Sequence, residues 1–262
     1  MNILLENKVA LVGGSTSGIG KAIAYQLADC GASVVLMARN EAKLQNVLAS
    51  LPRNHNQKHG VLLTDFDDYQ RHTATIKQFF QSHTIDILVN NTHGPKAGNV
   101  ESKESTDYQE AFNLLFQHAV STSILALPHM QKQRYGRIIN VSSMTVKEPQ
   151  DALVLSNTMR TALVSWSKSL ANQVGKDGIT VNSILTGYFD TERLTSLMKN
   201  QASMQNKSFE IVKEERQQSI PVQRLGDPKE YGYLIAFLAS EYASFLTGAS
   251  IPLDGGIAKS LF

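Results

Sequence analysis

Apolar and polar positions along the chain follow two alternating periods. Short apolar, β-rich runs occupy residues 9–12, 34–37, 61–63, 85–89, 137–141, 179–184 and 250–253. Between them lie longer helix-forming stretches at 19–28, 41–51, 68–82, 107–131 and 160–174. In the first of these, Ile19, Ile23 and Leu27 share one helical face, and Gly31 follows as a stop signal. The apolar runs show little in–out alternation. Strands of that kind are covered on both faces, as in a parallel sheet flanked by helices. The pattern predicts an α/β fold: a doubly wound parallel sheet of about seven strands, in a single domain spanning residues 1–262. The stretch 191–224 breaks the alternation. It is long, polar and helix-prone, and it reads as a lid over a site.

Composition narrows the classes of function. The 262 residues are 42% hydrophobic and 18% charged, with a formal net charge of +2. That is an ordinary globular balance, and no basic block marks a nucleic-acid surface. The single cysteine, Cys30, cannot form an internal disulfide. No run reaches membrane-spanning length, and the first residues do not resemble a secretory signal. The expectation is a cytoplasmic protein with a small-molecule partner, not a nucleic acid or a membrane.

The most informative local feature is a glycine-rich turn between the first strand and the first helix. It reads Gly14, Ser15, Thr16, Ser17, Gly18, Ile19, Gly20. Its glycines permit a tight turn and close approach to a pyrophosphate, and the helix N-terminus offers free N–H groups to the anion. A strand before the turn and a helix after it are what this motif requires, so the sheet is expected to be Rossmann-type. The second strand ends at Met37, Ala38, Arg39 and Asn40. A carboxylate here would bind a ribose 2′-hydroxyl, whereas a basic residue accommodates a 2′-phosphate. Arg39 therefore points to NADP(H). Asp65 and Phe66 end the third strand beside the expected adenine site, and Asp65 could equally cap the next helix.

Further motifs follow in order: Asn90, Asn91, Thr92, His93 and Gly94; residues 136–143, ending in Ser142 and Ser143; Val181 and Asn182; residues 186–191; and Asp254, Gly255 and Gly256. Together with the glycine turn, they resemble the short-chain dehydrogenase/reductase family over nearly the whole chain, and most of all its 3-oxoacyl-(acyl-carrier-protein) reductase type. The resemblance implies that Asn90 lies beside the adenosine ribose, that Phe189 and Thr191 lie beside the nicotinamide carboxamide, and that the protein is a homo-oligomer, a dimer or tetramer.

The same resemblance exposes a departure. The family reduces carbonyls with a serine, a tyrosine, a lysine four residues after that tyrosine, and an asparagine in an earlier helix. Ser143 fits the serine. The tyrosine position is Ser156, the lysine position is Arg160 and the asparagine position is Leu115. No tyrosine occurs between residues 136 and 187, so no shift of register restores the motif. Ser156 and Arg160 are four apart and share a helical face. A serine is a far weaker acid than a phenol, and losing a general acid typically costs roughly 10²–10⁴ in rate. Arg160 can still bind ribose hydroxyls and stabilise an alkoxide. His93 and Tyr188 are candidate substitute acids. His55 and His59 read as polar loop residues, since a metal site needs more ligands. The expected function is NADP(H)-dependent reduction of a 3-oxoacyl-type or other carbonyl through an altered proton relay. The alternative is a non-catalytic NADP(H)-binding regulator or scaffold.

Overall fold

A computed structural model describes residues 2–261. Among these residues one sheet contains β1 (Val9–Gly13), β2 (Ser33–Ala38), β3 (Gly60–Leu63), β4 (Ile87–Asn90), β5 (Gly136–Val141), β6 (Ile179–Thr186) and β7 (Ser250–Leu253). Its order is β3-β2-β1-β4-β5-β6-β7, and every pairing is parallel. The doubly wound sheet expected from the apolar runs is thus the one observed. The chain winds outward from β1 to β3 and then crosses back to β4. That reversal opens a crevice at the carboxyl ends of β1 and β4, where open α/β sheets bind ligands.

The helices are α1 (Gly18–Asp29), α2 (Glu41–Ser50), α3 (Tyr69–Ser82), α4 (Ser105–Phe112), α5 (His118–Gln133), α6 (Val154–Val174), α7 (Glu192–Gln205), α8 (Phe209–Gln218) and α9 (Pro228–Ala239). One core joins Ala10 and Val12 of β1 to Ile23, Leu27, Tyr231 and Ile235. The opposite core joins Leu11 to Ile76, Leu88, Met130, Ile138 and Leu170. Adjacent residues of one strand therefore serve both cores, which explains the missing alternation.

Three local features depart from the sequence pattern. The stretch 107–131 is helical throughout, but not as one regular α-helix. A wide π-type turn at Asn113–Gln117 separates α4 from α5, and the His118 N–H donates to the Asn113 carbonyl. Helix α6 begins at Val154, six residues before the stretch 160–174, and it carries Ser156 and Arg160 together as their spacing predicts. The pattern gave no sign of α9, because its apolar residues leave little polar face. Tyr231, Ile235, Ala236, Leu238 and Ala239 are all buried, and Gly232 lets the helix close onto α1, where a Cβ would press on Gln26 and Ala22.

The excursion over 191–224 contains α7 and α8 with a small apolar core of its own: Leu194, Met198, Ala202, Val212, Ile220 and Leu225. Thr191 caps α7 and Ser208 caps α8 through their side chains, a contribution of about 1 kcal/mol each.

Candidate active site

At the end of β1 the chain passes directly into the glycine turn. Gly14 and Gly18 hold φ of +57° and +51°, values that disfavour any side chain. Gly20 is sterically obligatory, since a Cβ there would run into the Gly14 carbonyl. Ser17 provides no side-chain cap for α1, and the first turn of α1 carries no acid. Its first N–H groups are therefore available to an anion. Gly14, Thr16, Ser17, Gly18, Ile19 and Gly20 line a cleft of about 530 Å³. Ser15 belongs to the turn but is fully buried and does not line the cleft; its Oγ has no hydrogen-bond partner among the described residues.

The far end of this cleft is basic. Arg39, Asn40 and Lys43 line it together with Phe66. Asn40 caps α2 by accepting from the Lys43 N–H at 2.9 Å. Arg39 lies 2.7 Å from Asp67 and 3.7 Å from Asp65. These pairs are solvated and worth little, so a phosphate can displace them. Asp65 also accepts from the Asp67 N–H; the residue that caps α3 is Asp68. His93 lines this cleft with its Nε2 3.0 Å from an Asp67 carboxylate oxygen, without the alignment of a hydrogen bond.

The two adjacent asparagines at the end of β4 have different surroundings. The Asn90 amide donates to Asn140 at 2.8 Å and to Ser123 at 3.2 Å, within a polar ladder below the strand ends. The Asn91 amide donates to the Gly13 carbonyl at 2.9 Å, and Asn91 is the one that lines the cofactor cleft.

A second cleft, about 370 Å³, adjoins the first and shares Ile19, Asn91, Thr92, Thr191 and Arg193 with it. It holds Ser143, Ser156, Arg160, Tyr188 and Phe189, with apolar walls from Met144, Leu153, Leu194, Leu197 and Ile257. The Ser143 Oγ accepts from the Thr145 N–H and hydroxyl at 3.2 and 3.1 Å. Arg160 donates from Nε to Ser156 Oγ at 3.2 Å and from Nη1 to the Val141 carbonyl at 2.7 Å. The guanidinium thereby ties α6 to the end of β5. Burial, and then the nearby charge of Arg193, draw its pKa down to about 10, so it stays charged at neutral pH. Phe189 is buried against the Tyr231 ring. The Arg216 guanidinium sits 4.4 Å above the Tyr188 ring.

Leu115 is buried where the resemblance would put an asparagine. Beside it, Asn90, His72, His118 and Arg160 line a cavity of about 20 Å³, room for one water. Tyr231 is not a substitute acid: it is fully buried, its hydroxyl meets Thr186 at 3.0 Å, and burial pushes its pKa up.

Comparison with known proteins now bears on this geometry. A family model described as "Enoyl-(Acyl carrier protein) reductase" matches residues 14–258. The chain belongs to the short-chain dehydrogenase/reductase family. The "NADPH-dependent reductase BacG" of Bacillus subtilis (strain 168) is 31% identical over 98% of this chain and 100% of that protein. The "3-oxoacyl-[acyl-carrier-protein] reductase FabG" of Aquifex aeolicus (strain VF5) is 30% identical, again over 98% and 100%. Among solved structures, the L-sorbose reductase of Gluconobacter frateurii, complexed with NADPH and L-sorbose, superposes with a TM-score of 0.92. It is 29% identical over the full length of both chains.

Within this short-chain dehydrogenase/reductase fold, the structure places side chains in the two clefts that sequence reasoning missed. Lys43 lies one turn beyond Arg39, and a basic residue in the first turn after the second strand was a readable signal. Arg193 lines both clefts from the start of α7; a lone arginine in a polar stretch carried none. His55 and His59 make local contacts, with Glu6 and with the Val34 N–H and Pro52 carbonyl respectively. No helix among the described residues is long and apolar enough to cross a membrane.

Proposed function

We propose that this protein is an NADP(H)-dependent oxidoreductase that reduces a carbonyl group with Tyr188 in place of the missing acid. NADP(H) is the cofactor of this chain, as NADPH is for the NADPH-dependent relative and for the NADPH-bound L-sorbose reductase. The observation that carries the reading is the contact between the two clefts: a phosphate-binding turn opens, across Ile19 and Thr191, onto a pocket containing Ser143 and Arg160.

In this reading the glycine turn and the α1 N-terminus hold the pyrophosphate. Arg39 and Lys43 take the 2′-phosphate, Asn91 lies along the ribose side, and Phe189 and Thr191 flank the carboxamide. Bound there, NADPH supplies a hydride to the carbonyl carbon. Ser143 donates a hydrogen bond to the carbonyl oxygen. Arg160, resting on Ser156, stabilises the charge that develops on that oxygen. The proton that completes the alcohol comes from Tyr188, which solvent recharges. Among the described residues lining this cleft, Tyr188 is the only neutral side chain more acidic than an aliphatic alcohol. His93 contacts the cofactor end and does not line this cleft. The exposed Phe245 and Tyr242 before β7 fit a homo-oligomer.

The test follows NADPH consumption across ketones, 3-oxoacyl thioesters and sugars. Tyr188→Phe should lower kcat by roughly 10²-fold while NADPH still binds, the usual scale for a general acid. An unchanged kcat removes Tyr188 from the relay. Tight NADPH binding without turnover of any substrate makes the protein an NADP(H)-binding regulator or scaffold instead.

A further inference from the structure

We propose that the substrate is an oxo acid, a carbonyl compound bearing a carboxylate on an apolar body, and that Arg193 together with Arg160 receives the carboxylate. The proposal rests on the reductase reading and adds the substrate's charge to it.

The first ground is the charge inventory of the second cleft. Its charged lining residues are Glu148, Arg160 and Arg193. Glu148 is already engaged: its carboxylate accepts the Lys259 and Ser260 N–H groups, which hold its pKa below the ordinary range. Among the described residues no carboxylate lies within ion-pair distance of either arginine. Two like charges thus share one pocket, and among the described residues the one carboxylate that lines it is held by backbone N–H groups, outside ion-pair distance of both arginines. Such an arrangement is unfavourable in a partly desolvated site and favours an incoming anion.

The second ground is placement. Arg160 sits on the floor, against Ser156 and the end of β5. Arg193 comes from the first turn of α7, with its tip seated against Gly94. A Cβ on Gly94 would come 2.6 Å from the Arg193 Nη2, so the absence of a side chain at Gly94 gives the guanidinium its berth. Nη2 of Arg160 and the whole Arg193 guanidinium make no hydrogen bond among the described residues. Their planar donors suit a carboxylate. The third ground is the wall: Met144, Leu153, Leu194, Leu197 and Ile257 offer an apolar surface, which suits a hydrocarbon body better than a polyol.

The experiment compares 2-oxohexanoate, 3-oxohexanoate and 5-oxohexanoate with the neutral 2-hexanone as substrates of the full-length protein with NADPH. In parallel, calorimetry measures 5-hydroxyhexanoate and 2-hexanol binding to the NADP⁺-loaded protein. At least one oxo acid should exceed 2-hexanone in kcat/KM, and the hydroxy acid should bind more tightly than the alcohol. Arg193→Gln should shrink that preference by roughly ten- to a hundredfold, the scale of a hydrogen bond to a charged group. Gly94→Ala, which keeps both charges but displaces the Arg193 tip, should shrink it in the same direction. The preference falls through KM and through hydroxy-acid affinity, while kcat moves less. A ratio near one for both charged ligands overturns the proposal and leaves the reductase reading standing. If nothing is reduced, the reductase reading fails and calorimetry alone decides whether the anion site exists. If Arg193→Gln weakens NADPH as much as it weakens the hydroxy acid, Arg193 belongs to the cofactor's pyrophosphate and the proposal fails.

Discussion

The cofactor cleft and the carbonyl cleft lie side by side at one end of the sheet, yet they are built on opposite terms. The first is made largely of backbone: glycines at positive φ, an α1 N-terminus without a side-chain cap, and strand ends that leave space. The second is made of side chains that already hold one another. Ser143 accepts from Thr145, Ser156 accepts from Arg160, and Arg160 is tied to Val141. A cleft shaped by backbone survives replacement of nearby side chains. A proton relay does not, because it depends on the acidity of one group at one place. On the proposed reading, this is how the chain can keep its cofactor architecture while the positions that the resemblance assigns to tyrosine, lysine and asparagine hold Ser156, Arg160 and Leu115.

The largest expected effect tests whether only the second cleft has changed. Ser156→Tyr combined with Arg160→Lys should raise ketone reduction by about 10²-fold or more, the usual worth of a positioned acid. Steady-state NADPH consumption measures it, and an inert but cofactor-binding double variant means that Leu115 or the pocket itself also blocks the reaction. A smaller effect tests the first cleft. Arg39→Ala should weaken NADPH by roughly ten- to a hundredfold, the scale of a charge-assisted phosphate contact, and NADH much less. Fluorescence titration of both decides it; equal losses would show that Lys43 and the α2 N-terminus hold the phosphate without Arg39.

A separate effect, on stability alone, lies behind the clefts. His72 and His118 pack with ring centroids 4.0 Å apart, both buried. Burial, followed by the charge of His118, lowers the His72 pKa from 6.5 to about 3. Burial lowers that of His118 too. Between those values the unfolded chain binds the proton and the folded one does not, so stability falls as pH drops from about 6.5 toward 3. His72 contributes at most about 1.4 kcal/mol per pH unit in that window, and nothing above it. Urea unfolding of His72→Gln at pH 4, 5, 6 and 7 should show a flatter acid slope than the parent. An identical slope would assign the acid sensitivity to other groups.

Much of this was legible in the sequence, and the parts that were not share a cause. Runs such as 9–12 read clearly as strands because burial on both faces leaves only apolar residues. The glycine turn read clearly because backbone geometry dictates its composition. The resemblance pointed to Asn90, whereas Asn91 lines the larger cleft: neighbours at a strand end point to opposite faces, and only the sheet's position says which side is the cleft. Helix α9 was hidden because a segment covered on most sides has no polar stripe to mark its period. The break at Asn113–Gln117 was hidden because a π-type turn keeps helical dihedrals throughout and adds one residue to the register. Arg193 was hidden because its partners come from distant parts of the chain.

The bond from Arg160 to the Val141 carbonyl has a consequence for how this cleft can change over time. A lysine presents one nitrogen where the guanidinium presents three. It cannot both brace the strand end and rest on residue 156 in the same geometry, and each lost bond costs about 0.5–1.5 kcal/mol or more for a charged donor. The arginine is therefore a rivet between α6 and the end of β5. Replacing it by lysine alone is expected to loosen that joint before it restores any chemistry, so the exchange at residue 160 is expected to help only together with the one at residue 156.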